Sequence, residues 1–153
     1  MKFRELYLDT TYVMPFFFLD IDVRGFSRTR YKEVIQSLER IHVSEISIIE
    51  AKAKSLRLRG NRREMTEKFN EGLSVLAGDE KVVIHGYGAV DDKQFNEFLA
   101  FGLGFLDTVI LAQSYTVGVL LTEDSRILQL KDIGMKTLNW AAILRETRME
   151  DYH

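Results

Sequence analysis

Residues 117–121 read Val-Gly-Val-Leu-Leu, a run with no polar face. A strand with one side in water alternates apolar and polar residues. A short run that is apolar throughout therefore belongs inside a sheet covered on both sides. Helices have to supply that cover, and the rest of the chain offers them. Tyr31, Val34, Ile35 and Leu38 fall at helical spacing and predict a helix over 28–40. Further helical stretches read over 47–58, 62–76, 93–101 and 106–115, with a short helix from Ser125. Between them lie strand-like runs over 3–8, 42–46, 81–84, 117–121 and 135–138. A short helix follows the first strand, capped by Thr10 or Thr11, with Pro15, the single proline, in its first turns. This alternation predicts an α/β fold in three layers, a mainly parallel central sheet of about five strands flanked by helices. With 153 residues and no repeat or low-complexity tract, the chain reads as one domain over 1–153.

Composition closes off several chemistries. There is no cysteine, which excludes disulfides, thiolate zinc sites and cysteine nucleophiles, and fits a reducing compartment. No apolar run reaches membrane-spanning length. The opening Met-Lys-Phe-Arg-Glu lacks the apolar core of a signal peptide, so a cytoplasmic protein is expected. A net charge of −2 weighs against a module that only binds nucleic acid, but not against an enzyme with a local basic groove.

Ligands of open α/β sheets gather outside the carboxyl ends of the strands, so the polar residues after each strand matter most. Asp9 follows the first strand and Asp124 follows the apolar strand. Asp107 opens the helix before that strand, and Glu50 lies on the helix after the second strand. If the first strand and the apolar strand are parallel neighbours, Asp9 and Asp124 share one sheet edge. Four carboxylates converging there would repel one another without a cation. Hard oxygen donors suit Mg²⁺ or Mn²⁺ and metal-assisted phosphoryl chemistry. Each acid also has a structural reading. Asp9 suits a turn, and Ser47-x-x-Glu50 has the form of a capping box. Asp107 favours a helix N-terminus, and Asp124 suits the N-cap of the helix from Ser125.

The same residues carry a family resemblance. Leu8-Asp9-Thr10-Thr11-Tyr12 resembles the first motif of PIN-domain proteins, an aspartate followed by a small hydroxyl residue. Val43-Ser44-Glu45-Ile46-Ser47-Ile48-Ile49-Glu50 resembles their second motif, a serine with a glutamate six positions on. Leu106-Asp107-Thr108-Val109-Ile110-Leu111-Ala112 resembles the third, and Val119-Leu120-Leu121-Thr122-Glu123-Asp124 the fourth. The four stand in the family's order across most of the chain. The aromatic residue that often trails the fourth motif is missing, with Ile127 or Leu128 in that region. The resemblance implies a PIN fold and Mg²⁺- or Mn²⁺-dependent cleavage of single-stranded RNA. It also implies Asp9, Glu50, Asp107 and Asp124 as metal ligands and organisers of the attacking water. Many small members are toxins of the VapC type, so an antitoxin protein and a homodimer are the implied partners.

Thr10 and Thr122 are secondary candidates, placed to hydrogen-bond ligand carboxylates or water. Glu45 competes with Glu50, which the spacing from Ser44 and a helix expected to start after Glu45 both favour. Glu123 is expected to be exposed. The basic run Lys52, Lys54, Arg57, Arg59, Arg62 and Arg63 is the candidate RNA-binding surface, or else a solvated helix face. His42 and His85 read as structural, and His153 as terminal. Tyr12, Phe16, Phe17 and Phe18 read as core or dimer interface. Two rivals stand beside the nuclease. One is a PIN-like module that binds RNA or protein without cutting. The other is a haloacid-dehalogenase-like phosphatase, because residues 16–22 resemble that family's strand ending in Asp-x-Asp. There, Arg24 stands where a threonine or valine belongs, and the later acidic pair, Asp91-Asp92, follows glycines rather than a strand.

Overall fold

The computed structural model describes residues 3–58 and 60–148. Arg59 and His153 lie outside them. Among the described residues, five strands form one sheet: β1 (Glu5–Leu8), β2 (Arg40–Ser44), β3 (Val82–His85), β4 (Val119–Leu121) and β5 (Lys136–Leu138). Their order is β3-β2-β1-β4-β5, and every pairing is parallel. The chain builds outward from β1 on one side through β2 and β3, then crosses to the other side for β4 and β5. The strand order therefore reverses between β1 and β4, the place where open α/β sheets leave a crevice.

Alternation along the strands explains why the sheet needs two covers. Leu6 and Leu8 of β1, with Ile41 and Val43 of β2 and Leu121 of β4, enter one apolar cluster with Tyr12, Phe17, Trp140 and Ile143. Tyr7 of β1 and Leu120 of β4 point the other way, into a cluster with Phe98, Ile110, Leu111 and Ile127. Leu120 and Leu121 are both fully buried, as their apolar run requires.

The described helices are α1 (Thr10–Val13), α2 (Arg28–Ser37), α3 (Glu45–Arg57), α4 (Arg62–Gly78), α5 (Asp92–Leu99), α6 (Phe105–Tyr115), α7 (Ser125–Leu128) and α8 (Trp140–Arg148). A 3₁₀ turn, Met14–Phe17, continues α1 with Pro15 in its first turn. Its close neighbour is α4, and the contact depends on Gly72. A Cβ at that position would stand 2.3 Å from the Phe16 carbonyl oxygen and 2.9 Å from the Phe17 ring. Phe17 stacks on Phe69 with ring centroids 4.5 Å apart, so the missing side chain lets the two aromatic rings close.

Several boundaries differ from expectation for identifiable reasons. Helix α2 ends at Ser37 rather than 40, because Leu38 turns extended and buries in the core while Arg40 begins β2. Helix α3 begins at Glu45 rather than 47, because Ser44 is its N-cap and accepts from the Ile46 amide at 3.2 Å. The capping box read at Ser47 and Glu50 is thereby corrected. Asp9, not Thr10 or Thr11, caps α1. Helix α8 had no counterpart in the sequence reading. Asn139 starts it, accepting from the Ala142 amide through its side chain at 2.9 Å. The strand that the phosphatase resemblance would need over 16–19 does not form. Phe16 and Phe17 are in the 3₁₀ turn, and Phe18 takes a left-handed φ of 61°. Asp20 is exposed and paired with Arg28 at 3.0 Å, so the strand-borne Asp-x-Asp of the phosphatase reading is absent. No described helix is long and apolar enough to cross a membrane.

Candidate active site

The reversal of strand order places the acids. The Asp9 amide donates to the Leu121 carbonyl at 3.0 Å, which docks the end of β1 against the end of β4. Asp9 then leaves β1, and Thr122 and Asp124 leave β4, side by side at the carboxyl ends of the two strands. Helix α6 brings Asp107 in its first turn and α3 brings Glu50 in its second. The four acids thus come from four separate segments of the chain, separated by roughly 41, 57 and 17 residues, as the sequence order predicts.

Both threonines singled out in the sequence hold carboxylates. Thr122, fully buried, donates its hydroxyl to Asp9 Oδ2 at 2.5 Å and accepts from the Asp124 amide at 3.0 Å. One side chain thereby ties together two of the acids. The other Asp9 oxygen accepts from the Thr10 amide at 2.7 Å. The Thr10 hydroxyl donates to Glu50 Oε1 at 3.2 Å and shares a 2.9 Å hydrogen bond with Ser47. Ser47 was read only as a cap. It is a fully buried support for Thr10 instead.

The electrostatics are lopsided. Burial pushes the Asp9 carboxyl above its ordinary value, the Thr122 and Thr10 hydrogen bonds oppose that, and the charges of Asp107 and Asp124 add to it. Glu50 is also raised, by burial first and then by Asp9 and Asp107, against the hydrogen bond from Thr10. Asp124 moves the other way. The hydrogen bond from Arg126 holds it below the usual carboxylate range. That guanidinium lies 2.8 Å from Asp124 Oδ2 and 3.0 Å from Asp107 Oδ2. Neither Asp9 nor Glu50 has an ion-pair partner among the described residues. Among the described residues, the four carboxylates are thus served by one cation. Arg126 was missed in the sequence. Its signal was its place two residues after Asp124 at a helix start, where a long side chain folds back over the cap.

Oxygen-only donors with unneutralised charge fit a hard divalent cation in kind. As the side chains lie, no three Asp, Glu or His groups among the described residues stand ready to grip one ion. Arg126 takes up oxygens of two of the acids.

Glu45, the competing glutamate, begins α3 rather than preceding it, which corrects one reason for setting it aside. Its Oε2 accepts from the Tyr87 amide at 2.9 Å, a structural task away from the four acids. Glu123 is half-buried rather than exposed. It accepts from the Trp140 amide at 2.8 Å and from the Tyr12 hydroxyl, tying β4 to α8 and α1. Asp124 does cap α7, so its structural reading and its place among the acids coexist.

The basic run divides. Lys54 and Arg57 line an open groove of about 510 Å³ that also contains Glu50, Met14, Ala53 and Leu58. Lys52 instead covers the Phe69 ring at 5.3 Å, and Arg63 pairs with Glu67 at 3.1 Å on the outer face of α4. Arg62 opens α4 on its exposed side. His42 lies between Glu5 at 2.7 Å and His85 at 2.9 Å, part of the sheet's lateral hydrogen bonding. Of the aromatic group, Tyr12 and Phe17 are core, Phe16 packs against it and Phe18 is exposed.

No protein-family model matches the sequence, and no curated protein matches it. Solved structures do. One is a chain from the structure of VapBC2 from Rickettsia felis bound to a DNA fragment from its promoter. It has a TM-score of 0.64 and 15% identity, covering 89% of this chain and 98% of that one. Another is VapC20 of Mycobacterium tuberculosis, a toxin that cleaves the sarcin–ricin loop. It has a TM-score of 0.53 and 12% identity, covering 83% of this chain and 97% of that one. The likeness is one of fold, and the chain has the VapC-like PIN fold that its four ordered motifs implied.

Proposed function

We propose that this chain is a single-domain, divalent-metal-dependent endoribonuclease that cuts single-stranded RNA in the cytoplasm, with Asp9, Glu50, Asp107 and Asp124 as its acidic site. One observation supports this above the others. Four carboxylates from separate segments gather at the strand-order reversal, and among the described residues a single guanidinium pairs with them. Carboxylates gathered with so little counter-charge are costly, and a site that binds Mg²⁺ or Mn²⁺ is the economical reason for them.

Asp9 would be the central ligand, because Thr122 and the Thr10 amide fix both of its oxygens in orientation while leaving lone pairs free. Asp124 and Asp107 would hold the same cation from the α7 and α6 side, and Glu50 would face the attacking water, positioned by Thr10. Bound there, the cation supplies Lewis-acid polarisation of the phosphodiester and a more acidic water. Lys54 and Arg57 line the groove beside Glu50 and would carry the RNA backbone toward the acids. The VapC fold of the neighbours supports a toxin role within a VapBC-type pair, with an antitoxin protein and a second copy of the chain as partners.

Incubating purified protein with a mixed single-stranded RNA pool in Mn²⁺, Mg²⁺ or EDTA, beside Asp9→Asn, tests the proposal. Cutting that needs metal and disappears in the variant supports it. Absence of cutting under every condition would favour a PIN-like module that binds RNA or protein without cleaving, a reading that the arginine seated among the acids also suits.

A further inference from the structure

Arg126 makes more polar contacts with the acidic cluster than any structural cap needs. Its backbone amide donates to Asp124 Oδ1 at 2.8 Å, and that bond alone caps α7. The guanidinium then adds Nε to Asp124 Oδ1 at 3.2 Å, Nη2 to Asp124 Oδ2 at 2.8 Å and Nη2 to Asp107 Oδ2 at 3.0 Å. Both oxygens of Asp124 and one of Asp107 are thereby engaged by a single positive group. Asp107 is on α6 and Asp124 follows β4, so the guanidinium bridges two segments that are 17 positions apart. The side chain is 60% exposed, so its departure uncovers little of the core.

We propose that Arg126 is a built-in counter-cation of the acidic cluster, competing with the divalent ion for Asp107 and Asp124 and displaced when that ion binds. The inference deepens the metal reading above and rests on it. A divalent ion needs the lone pairs that the guanidinium occupies, and two cations on the same oxygens repel each other. Metal binding and the Arg126 ion pairs are therefore linked: whatever free energy the pairs contribute is subtracted from metal affinity. The consequence is a site that keeps two of its acids neutralised at low metal concentration. It fills only when the ion is abundant enough to displace the arginine. Charge placement alone makes the occupancy of this site depend on metal supply.

Isothermal titration of the full chain with Mn²⁺ tests the proposal, comparing wild type with Arg126→Gln and with Arg24→Gln. The second variant removes the same charge from an exposed residue that makes no ion pair with any of the four acids among the described residues. Removing Arg126 is expected to tighten Mn²⁺ binding roughly three- to tenfold, in line with two partly exposed ion pairs. Arg24→Gln is expected to change it by less than about twofold, since exposed charges away from the site are screened. In the wild type, the Arg126 Nε–H resonance is expected to shift on Mg²⁺ addition with the midpoint of the binding curve. Equal or weaker binding by Arg126→Gln, or equal tightening by Arg24→Gln, would overturn the proposal while leaving the metal reading intact. An unmoved Arg126 resonance at saturation would do the same. No binding by any of the three proteins would overturn both.

Discussion

Thr122→Val isolates the strut that joins the strand end to the acidic site. The substitution keeps the shape of the side chain and replaces a hydroxyl by a methyl in a fully buried position. Two hydrogen bonds are lost, the 2.5 Å donation to Asp9 and the 3.0 Å acceptance from the Asp124 amide. A hydrogen bond to a charged group contributes about 1.5–3 kcal/mol and a neutral one about 1 kcal/mol. The added methyl returns roughly 0.8 kcal/mol of apolar burial. The net expectation is a loss of about 2–3 kcal/mol, read as a lower midpoint in urea denaturation with an unchanged slope. The Asp9 carboxyl, deprived of the donor that holds it down, should titrate at higher pH still, measurable by carbonyl-carbon NMR in EDTA. On an Asp9→Asn background the same substitution should cost only about half as much, since the charged hydrogen bond is already gone. A loss under about 0.5 kcal/mol in the wild-type background, or an Asp9 titration that does not move, would refute the claim that Thr122 holds Asp9.

Gly72→Ala should destabilise the fold by about 1–3 kcal/mol, because the new methyl meets the Phe16 carbonyl and the Phe17 ring; thermal unfolding reads this directly. Asp9→Asn should leave the metal-free protein as stable as wild type or more so, with a pH signature. Burial raises the Asp9 carboxyl in the folded state, so its penalty is absent below the unfolded value of about 3.9 and complete above the folded one. The stability advantage of Asp9→Asn in EDTA should therefore grow as pH rises through that window and then level off, and an advantage that shrinks would contradict the assignment. Glu50→Gln should reduce RNA cleavage far more than Glu45→Gln, whose only described polar contact is with the Tyr87 amide. The opposite ranking in a fixed-time cleavage assay would move the site to Glu45.

The parts of the fold that were legible in the sequence share a cause. Leu120 and Leu121 had to be interior, although β4 begins at Val119 rather than 117 because Gly118 still turns at a φ of 88°. The positions of Asp9 and Asp124 after strands made them neighbours once β1 paired with β4. What escaped was decided by tertiary contacts. Leu38 sits at helical spacing yet leaves α2, because the core offers its side chain more than one further helical turn would. Glu123 reads as a solvent-facing charge between two functional positions. It is drawn inward by the Trp140 amide, which the sequence hid by giving little sign of α8. Arg126 belongs to the same class. Its place two residues after Asp124 at a helix start pointed to the cap, but its second partner is set only when α6 brings Asp107 within reach. The four acids could each be singled out in the sequence, whereas the guanidinium that bridges two of them emerged only from the assembled fold.

The most direct measurement is the position of a bound ion. Crystals soaked in Mn²⁺ and measured near the manganese absorption edge should show an anomalous peak within coordination distance of Asp9, and of Asp107 or Asp124, with the Arg126 guanidinium moved off them. A peak elsewhere, such as beside His42 and His85, or no peak at all at saturating Mn²⁺, would contradict the account.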